Sequence, residues 1–290
     1  MNNIKINFND IKKIMKSHYK NNLIEDDNFI KKRALTIGTF GKISIFKKNN
    51  VDYIVKNPRG NNKVDHDSAK ADSIISSFLS SFQQLYLEKK LVPEIFSIYK
   101  VDTFSKKISN IIMERFEADI FRIFTSIDIT NNDQKKLLLK MIIDIANFLL
   151  ILQENFQFMH NDLKTNNILY RRKDKTKPIS YDNIYFVLTD FGGSSINIKS
   201  KVIKGSILGN DINFDKAKDL YLLIHVILTY QNQNYKEKLI NFFHKIVNKI
   251  DLNYLIIDDN QWHKIYHLNQ YPIDYEPSNI LNSINKLLLE

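Results

Sequence analysis

Between Asp133 and Asn155 the chain carries a segment that is apolar on nearly every side: Leu137, Leu138, Met141, Ile142, Ile145, Phe148, Leu149 and Leu152. A helix with so little polar surface is buried on most of its faces and demands a shell of other elements around it. Lys140 and Asp144 interrupt the run, which is too short to cross a bilayer. Asn132 or Asp133 is the expected cap. A second buried helix is expected near Leu220–Leu228.

The first third of the chain reads differently. Short β-rich runs at Leu35–Ile37, Ile43–Phe46 and Tyr53–Val55, the last closed by Pro58 and Gly60, precede a helical stretch from about Ser68 to Lys89. Asp72, Ile75, Leu79 and Phe82 fall at helical spacing in that stretch, and Pro93 ends the region. Strand-like segments recur at Ile95–Tyr99 and Ile111–Met113, and later at Ile168–Tyr170 and Tyr185–Leu188. The expected class is α+β. It comprises a polar N-terminal extension (1–30) with a short helix around Ile11, Ile14, Met15 and His18, a small strand-rich part (31–116) and a larger, mainly helical part (117–290).

Composition narrows the chemistry. A chain of 290 residues with 43% hydrophobic content fills one large domain or two closely packed lobes. It has no cysteine, which excludes disulfides, thiolate metal sites and a thiol nucleophile. The net charge of +10 is spread through a chain rich in Lys, Asn and Ile, which fits a genomic bias better than a nucleic-acid surface. Its densest basic cluster, Arg171, Arg172, Lys173, Lys175 and Lys177, reads as a solvated loop that also suits an acidic partner. No secretory signal is visible, so a soluble, intracellular, cytoplasmic protein is expected.

Two short motifs carry the chemistry. HNDLKTNNIL (160–169) follows the buried helix and runs into a strand. Phosphoryl transfer needs a carboxylate beside the incoming hydroxyl, a cation near the moving phosphate and an oxygen ligand for Mg²⁺; Asp162, Lys164 and Asn167 supply these within six residues. TDFGG (189–193) follows the apolar strand Tyr185–Leu188, and a carboxylate there, Asp190, suits a hard cation.

These motifs resemble those of the eukaryotic-type protein kinases, whose catalytic loop H-R-D-L-x-x-x-N is matched at His160, Asp162, Leu163 and Asn167, and whose D-F-G is matched at Asp190, Phe191 and Gly192. The resemblance implies a bilobal fold with a β-rich N-lobe and a helical C-lobe, ATP and Mg²⁺ (or Mn²⁺) as cofactors, Asp162 as base, and Asn167 and Asp190 as metal ligands. LTIGTFGKI (35–43) is similar to the glycine-rich loop, with Gly38, Thr39, Phe40, Gly41 and Ile43 as ATP contacts, although Thr36 stands where the family has its first glycine. Four of the seven glycines lie in this loop and in TDFGG. Lys56 looks like the lysine that pairs with the α- and β-phosphates. Its helix partner, Glu in the family, is here Asp72, with Asp67 and Glu88 as alternatives. Met113 corresponds to the gatekeeper, and the backbones of Glu114 and Phe116 to the adenine contacts. Asp219 corresponds to the aspartate that braces the catalytic loop, or else is a simple N-cap.

Departures from the family bear on regulation. Asn161 replaces the Arg that commonly receives a phosphorylated activation loop, A-P-E is missing, and no Arg follows Arg172. Such compact kinases are similar to those of large DNA viruses, in which case host cytoplasm or virion is the expected location. The resemblance implies a Ser/Thr protein kinase acting on a protein substrate, with no nucleic acid and no membrane segment. A small-molecule kinase of the choline or aminoglycoside type and a pseudokinase serving as a nucleotide-binding docking module are the alternatives.

Overall fold

The computed structural model describes residues 5–20, 30–37, 41–58, 63–103, 106–205, 213–248, 250–251, 268 and 270–289. The fold is α+β, with seven α-helices among the described residues. The chain divides into two compact units: residues 1–116 with 189–194 and 203–210, and residues 117–188 with 195–202 and 211–290.

Unit 1 is a six-stranded sheet with two helices. The strands are β1 (Tyr19–Lys20), β2 (Ile30–Ile37), β3 (Gly41–Lys48), β4 (Val51–Pro58), β5 (Ile95–Thr103) and β6 (Lys106–Glu114), in the order β1-β5-β6-β4-β3-β2. All neighbours are antiparallel except β1, which pairs parallel to β5 through Tyr19↔Ile98 and Lys20↔Tyr99. The sequence builds β3 and β4 around a tight Asn49-Asn50 turn, where both residues hold the left-handed φ that Asn tolerates. Side chains two apart share a strand face, so Ile54 lies on the same side of β4 as Lys56. Ile54 packs on Ile95, Ile98, Ile111 and Met113, and Tyr19 of β1 joins that cluster. The helices are α1 (Phe8–His18) and α2 (Lys63–Tyr86). Ile75, Phe78, Leu79 and Phe82 of α2 are fully buried, as their spacing requires.

Unit 2 is mainly helical: α3 (Phe121–Phe124), α4 (Asn132–Phe156), α5 (Lys218–Tyr230), α6 (Gln233–Phe243) and α7 (Pro277–Leu289). Its small antiparallel sheet runs β7 (Ala118–Asp119), β8 (Ile168–Arg172) and β9 (Ile184–Leu188). Leu138, Met141, Ile142, Ile145, Leu149 and Leu152 of α4 are wholly inaccessible, which is what an all-round apolar helix requires. The cap of α4 is Asn131, one residue before the expected positions: its side chain accepts from the amides of Asp133 and Gln134. Cap choice depends on where the backbone leaves the helical region, which a run of Asn-Asn-Asp does not reveal. No described helix is long and apolar enough to cross a membrane.

The first turn of α5 buries a charge. Lys218 is fully enclosed, and its Nζ has no hydrogen-bond partner among the described residues. Burial lowers its pKa to about 8, against the pull of Asp219 and Asp215. An unfolded chain would hold that proton up to about 10.5, so unfolding takes up a proton between the two values and this residue makes stability rise with pH there. Lys218→Met removes that rise. The stability of the variant relative to the parent, from melting between pH 7 and 10.5, should fall with pH above 8 by up to about 3 kcal/mol; a difference independent of pH excludes a titrating Lys218.

Candidate functional site

The residues singled out in the sequence form one cluster in each unit. In unit 1, Lys56 sits in mid-sheet, opposite Ile43 of β3 and Ile111 of β6. Its Nζ lies 2.6 Å from Asp72 Oδ2 on α2 and 2.6 Å from Asp190 Oδ1. Burial alone would lower the Lys56 pKa, but the charges and hydrogen bonds of Asp190 and Asp72 outweigh it and hold the ammonium well above the ordinary lysine value. Asp72 Oδ1 accepts from the Phe191 amide at 3.0 Å and from Ser76 Oγ at 3.1 Å. One buried carboxylate therefore ties together a strand, a helix and the segment that carries Asp190. The alternatives are elsewhere: Asp67 is exposed on α2, and Glu88 lies beyond its end.

Asp has one methylene fewer than Glu, so α2 has to come closer to reach Lys56. Small residues at the contact allow this. A Cβ on Gly192 would stand 2.3 Å from Ser68 Oγ, one turn before Asp72 on α2. Behind Gly192 the main chain is equally tight: a Cβ on Gly205 would fall 1.9 Å from the Gly192 carbonyl oxygen. Asp190 itself adopts a left-handed conformation (φ 66°, ψ 68°), uncommon for a residue with a side chain and of the kind that gathers at functional positions.

The remaining unit 1 candidates are placed in part. Gly38, Thr39 and Phe40 lie outside the described residues. Gly41 opens β3, and the β2–β3 ladder is formed up to Ile37↔Lys42. Ile43 is half-buried on β3. Met113 is buried in β6 and belongs to the cluster beneath Ile54; Phe116 is also buried. The Glu114 amide donates to Glu94 O at 2.9 Å. Its carboxylate takes two hydrogen bonds from Lys90.

In unit 2, Asp162 meets Lys164 Nζ through both oxygens, at 3.0 and 2.9 Å. Asn167 Nδ2 donates to the Asp162 carbonyl at 2.7 Å and to Oδ2 at 3.0 Å. The short turn Thr165–Asn167 brings these three side chains together, and Leu163, fully buried, anchors the loop between them. The loop is braced from behind: Asp219 accepts from the amides of His160 at 2.8 Å and Asn161 at 2.9 Å. Burial raises the Asp219 pKa against those bonds and the neighbouring positive charge. Asp219 is not the cap of α5, since that position is Ala217. Asn161 has φ 63°, a conformation Asn adopts more readily than Arg.

Within each cluster, taken by itself, the carboxylate and amide oxygens are of the kind that hard divalent cations take as ligands. In unit 1 the Asp190 side chain is 31% exposed. In unit 2 Asn167 spends its nitrogen on Asp162. No three His, Asp or Glu side chains gather as a metal cage among the described residues. Ser68, Ser76 and Gly205 were not legible as site residues. The signal was there in the four-residue spacing of Ser68, Asp72 and Ser76, which puts them on one ridge of α2.

A scan against protein-family models finds no match for this chain, and a search of curated proteins also finds none.

The close approach of α2 to Gly192 is open to a double-mutant cycle. Gly192→Ala should cost about 1–3 kcal/mol of stability in the parent chain and much less in a Ser68→Ala background, where the opposing oxygen is gone. Denaturant unfolding of the four proteins reads this out, and equal costs in both backgrounds would remove the steric account.

Proposed function

We propose that the chain is an ATP-dependent Ser/Thr protein kinase, and that its two units correspond to the β-rich and helical lobes of that fold. The observation that carries this is Lys56 held by both Asp72 and Asp190. A cation and two carboxylates fixed at positions that the sequence assigns to phosphate binding, helix pairing and metal binding are hard to account for as fold support alone. The second cluster, Asp162 with Lys164 and Asn167, supports the same chemistry from independent residues.

In this reading Asp162 accepts a hydrogen bond from the substrate hydroxyl and takes its proton as the oxygen attacks the γ-phosphorus, while the bond to the β–γ bridging oxygen breaks and ADP leaves. Lys164, which already lies against Asp162, offsets charge on the transferred group. Lys56 orients the α- and β-phosphates, with Asp72 keeping its ammonium in place. Asn167 and Asp190 would hold Mg²⁺, which supplies charge neutralisation on the phosphates. Catalysis of this kind is positioning and electrostatics. Lys164, two residues after the base, favours Ser/Thr protein substrates over small alcohols.

Incubation with labelled ATP and Mg²⁺ should give label on the protein itself or on casein or myelin basic protein, and not on choline or aminoglycosides. Asp162→Asn should lower the transfer rate by roughly 10²–10⁴ while ATP binding persists. Undiminished transfer in that variant rejects Asp162 as base. ATP binding without any transfer by the parent chain points instead to a docking module.

A further inference from the structure

Helix α2 presents two neighbouring ridges, each repeating every four residues. One, Ser68–Asp72–Ser76, faces Gly192, Lys56 and Phe191. The other, Ser73–Ser77, faces the first twenty residues of the chain. There His18 Nδ1 lies 2.9 Å from Ser77 Oγ in a buried contact, and the Tyr19 hydroxyl lies beside Ser73, whose own hydroxyl donates to Lys70 O. Further along, the Asn7 amide donates to the Tyr86 hydroxyl at 2.7 Å, and Ile11 of α1 is 1% exposed. The same short segment enters the sheet. Tyr19 and Lys20 pair with β5, and the Tyr19 ring packs on Ile95, Ile98, Ile111 and Met113, the cluster on which Ile54 also rests.

The N-terminal segment thus touches both bodies whose relative position sets the Lys56–Asp72 pair: the sheet through the Tyr19 ring and the helix through the Tyr19 hydroxyl and His18. Ser73 is the residue next to Asp72. Rotation or withdrawal of α2 that parts Asp72 from Lys56 also breaks the contacts of Ser73 and Ser77. We propose that α1 and β1 form a built-in brace that keeps α2 in register with Lys56, with Tyr19 and His18 as positioning residues for the phosphate-binding lysine. The brace rests on the kinase reading only for its consequence for turnover; its mechanical part stands on the contacts alone.

The test uses the full chain with Tyr19→Phe and Ser77→Ala combined, which keeps the ring in the core and removes one hydroxyl from each of two contacts, that of Tyr19 beside Ser73 and that of Ser77 beside His18. His18→Ala is a second, independent variant. Two readouts need no activity: hydrogen exchange of α2 amides, and acetylation of Lys56 by acetic anhydride followed by mass spectrometry. In either variant, α2 exchange and Lys56 acetylation should rise about tenfold, the scale of lost buried hydrogen bonds, while exchange in α4 stays as in the parent. If the parent transfers phosphate, kcat/KM should drop by a similar factor, mainly through a higher KM for ATP, with Asp162-dependent chemistry intact. Unchanged exchange and labelling overturns the brace, as does loosening spread evenly over both units, or loosened α2 with unaltered phosphate transfer. Loosened α2 in a parent chain that transfers no phosphate keeps the brace and rejects the kinase reading.

Discussion

An ammonium group removed from water needs opposing charge close by, and Lys56 meets two carboxylates at 2.6 Å. With both partners removed its burial would be strongly unfavourable, and losing one from such a buried pair typically costs about 3–5 kcal/mol. Much of unit 1 serves this arrangement. The sheet puts Lys56 between β3 and β6, α2 is brought in close by serine and glycine contacts, and Asp190 takes a strained backbone conformation to present its oxygen. Two negative charges on one positive charge leave the group acidic overall.

Unit 2 solves a related problem with backbone rather than side chains. Asp219 is buried at the start of α5 and accepts two successive amides, so the loop before Asp162 is held through its own backbone. Leu163 pins the loop to the core while Lys164 and Asn167 converge on Asp162. The left-handed turn at Asn161 lets the chain reverse between the braced amides and the carboxylate. A residue first notable for the Arg it replaces is therefore well matched to its backbone conformation.

Elements with strong periodicity were legible to within a few residues: α4, α5, the strands around Lys56, and β8 and β9 of unit 2 follow from apolar spacing, whereas the two residues of β7 gave no such signal. The helix partner of Lys56 was legible only as a choice among Asp67, Asp72 and Glu88, because selection depends on helix phase relative to a distant strand. The cap at Asn131 was missed by one residue among adjacent cap-forming side chains. Strand β1 gave no signal at all. Two residues paired to a strand nearly eighty positions away are a tertiary event, and local propensity has nothing to say about them. Residues 38–40, expected to carry glycine-rich loop contacts, lie outside the described residues, and the tight spots at Gly192 and Gly205 depend on tertiary approach that local sequence does not encode.

The short arm of Asp72 has an evolutionary consequence. A helix held one methylene closer than a glutamate would allow has no slack, so drift at position 72 is coupled to positions 68, 76 and 192. An ancestor or descendant with Glu at 72 would need a roomier contact near Ser68 and Gly192, and bulk gained at either of those would favour the longer acid in return. These four positions are therefore coupled, and a change at one constrains what the other three can accept.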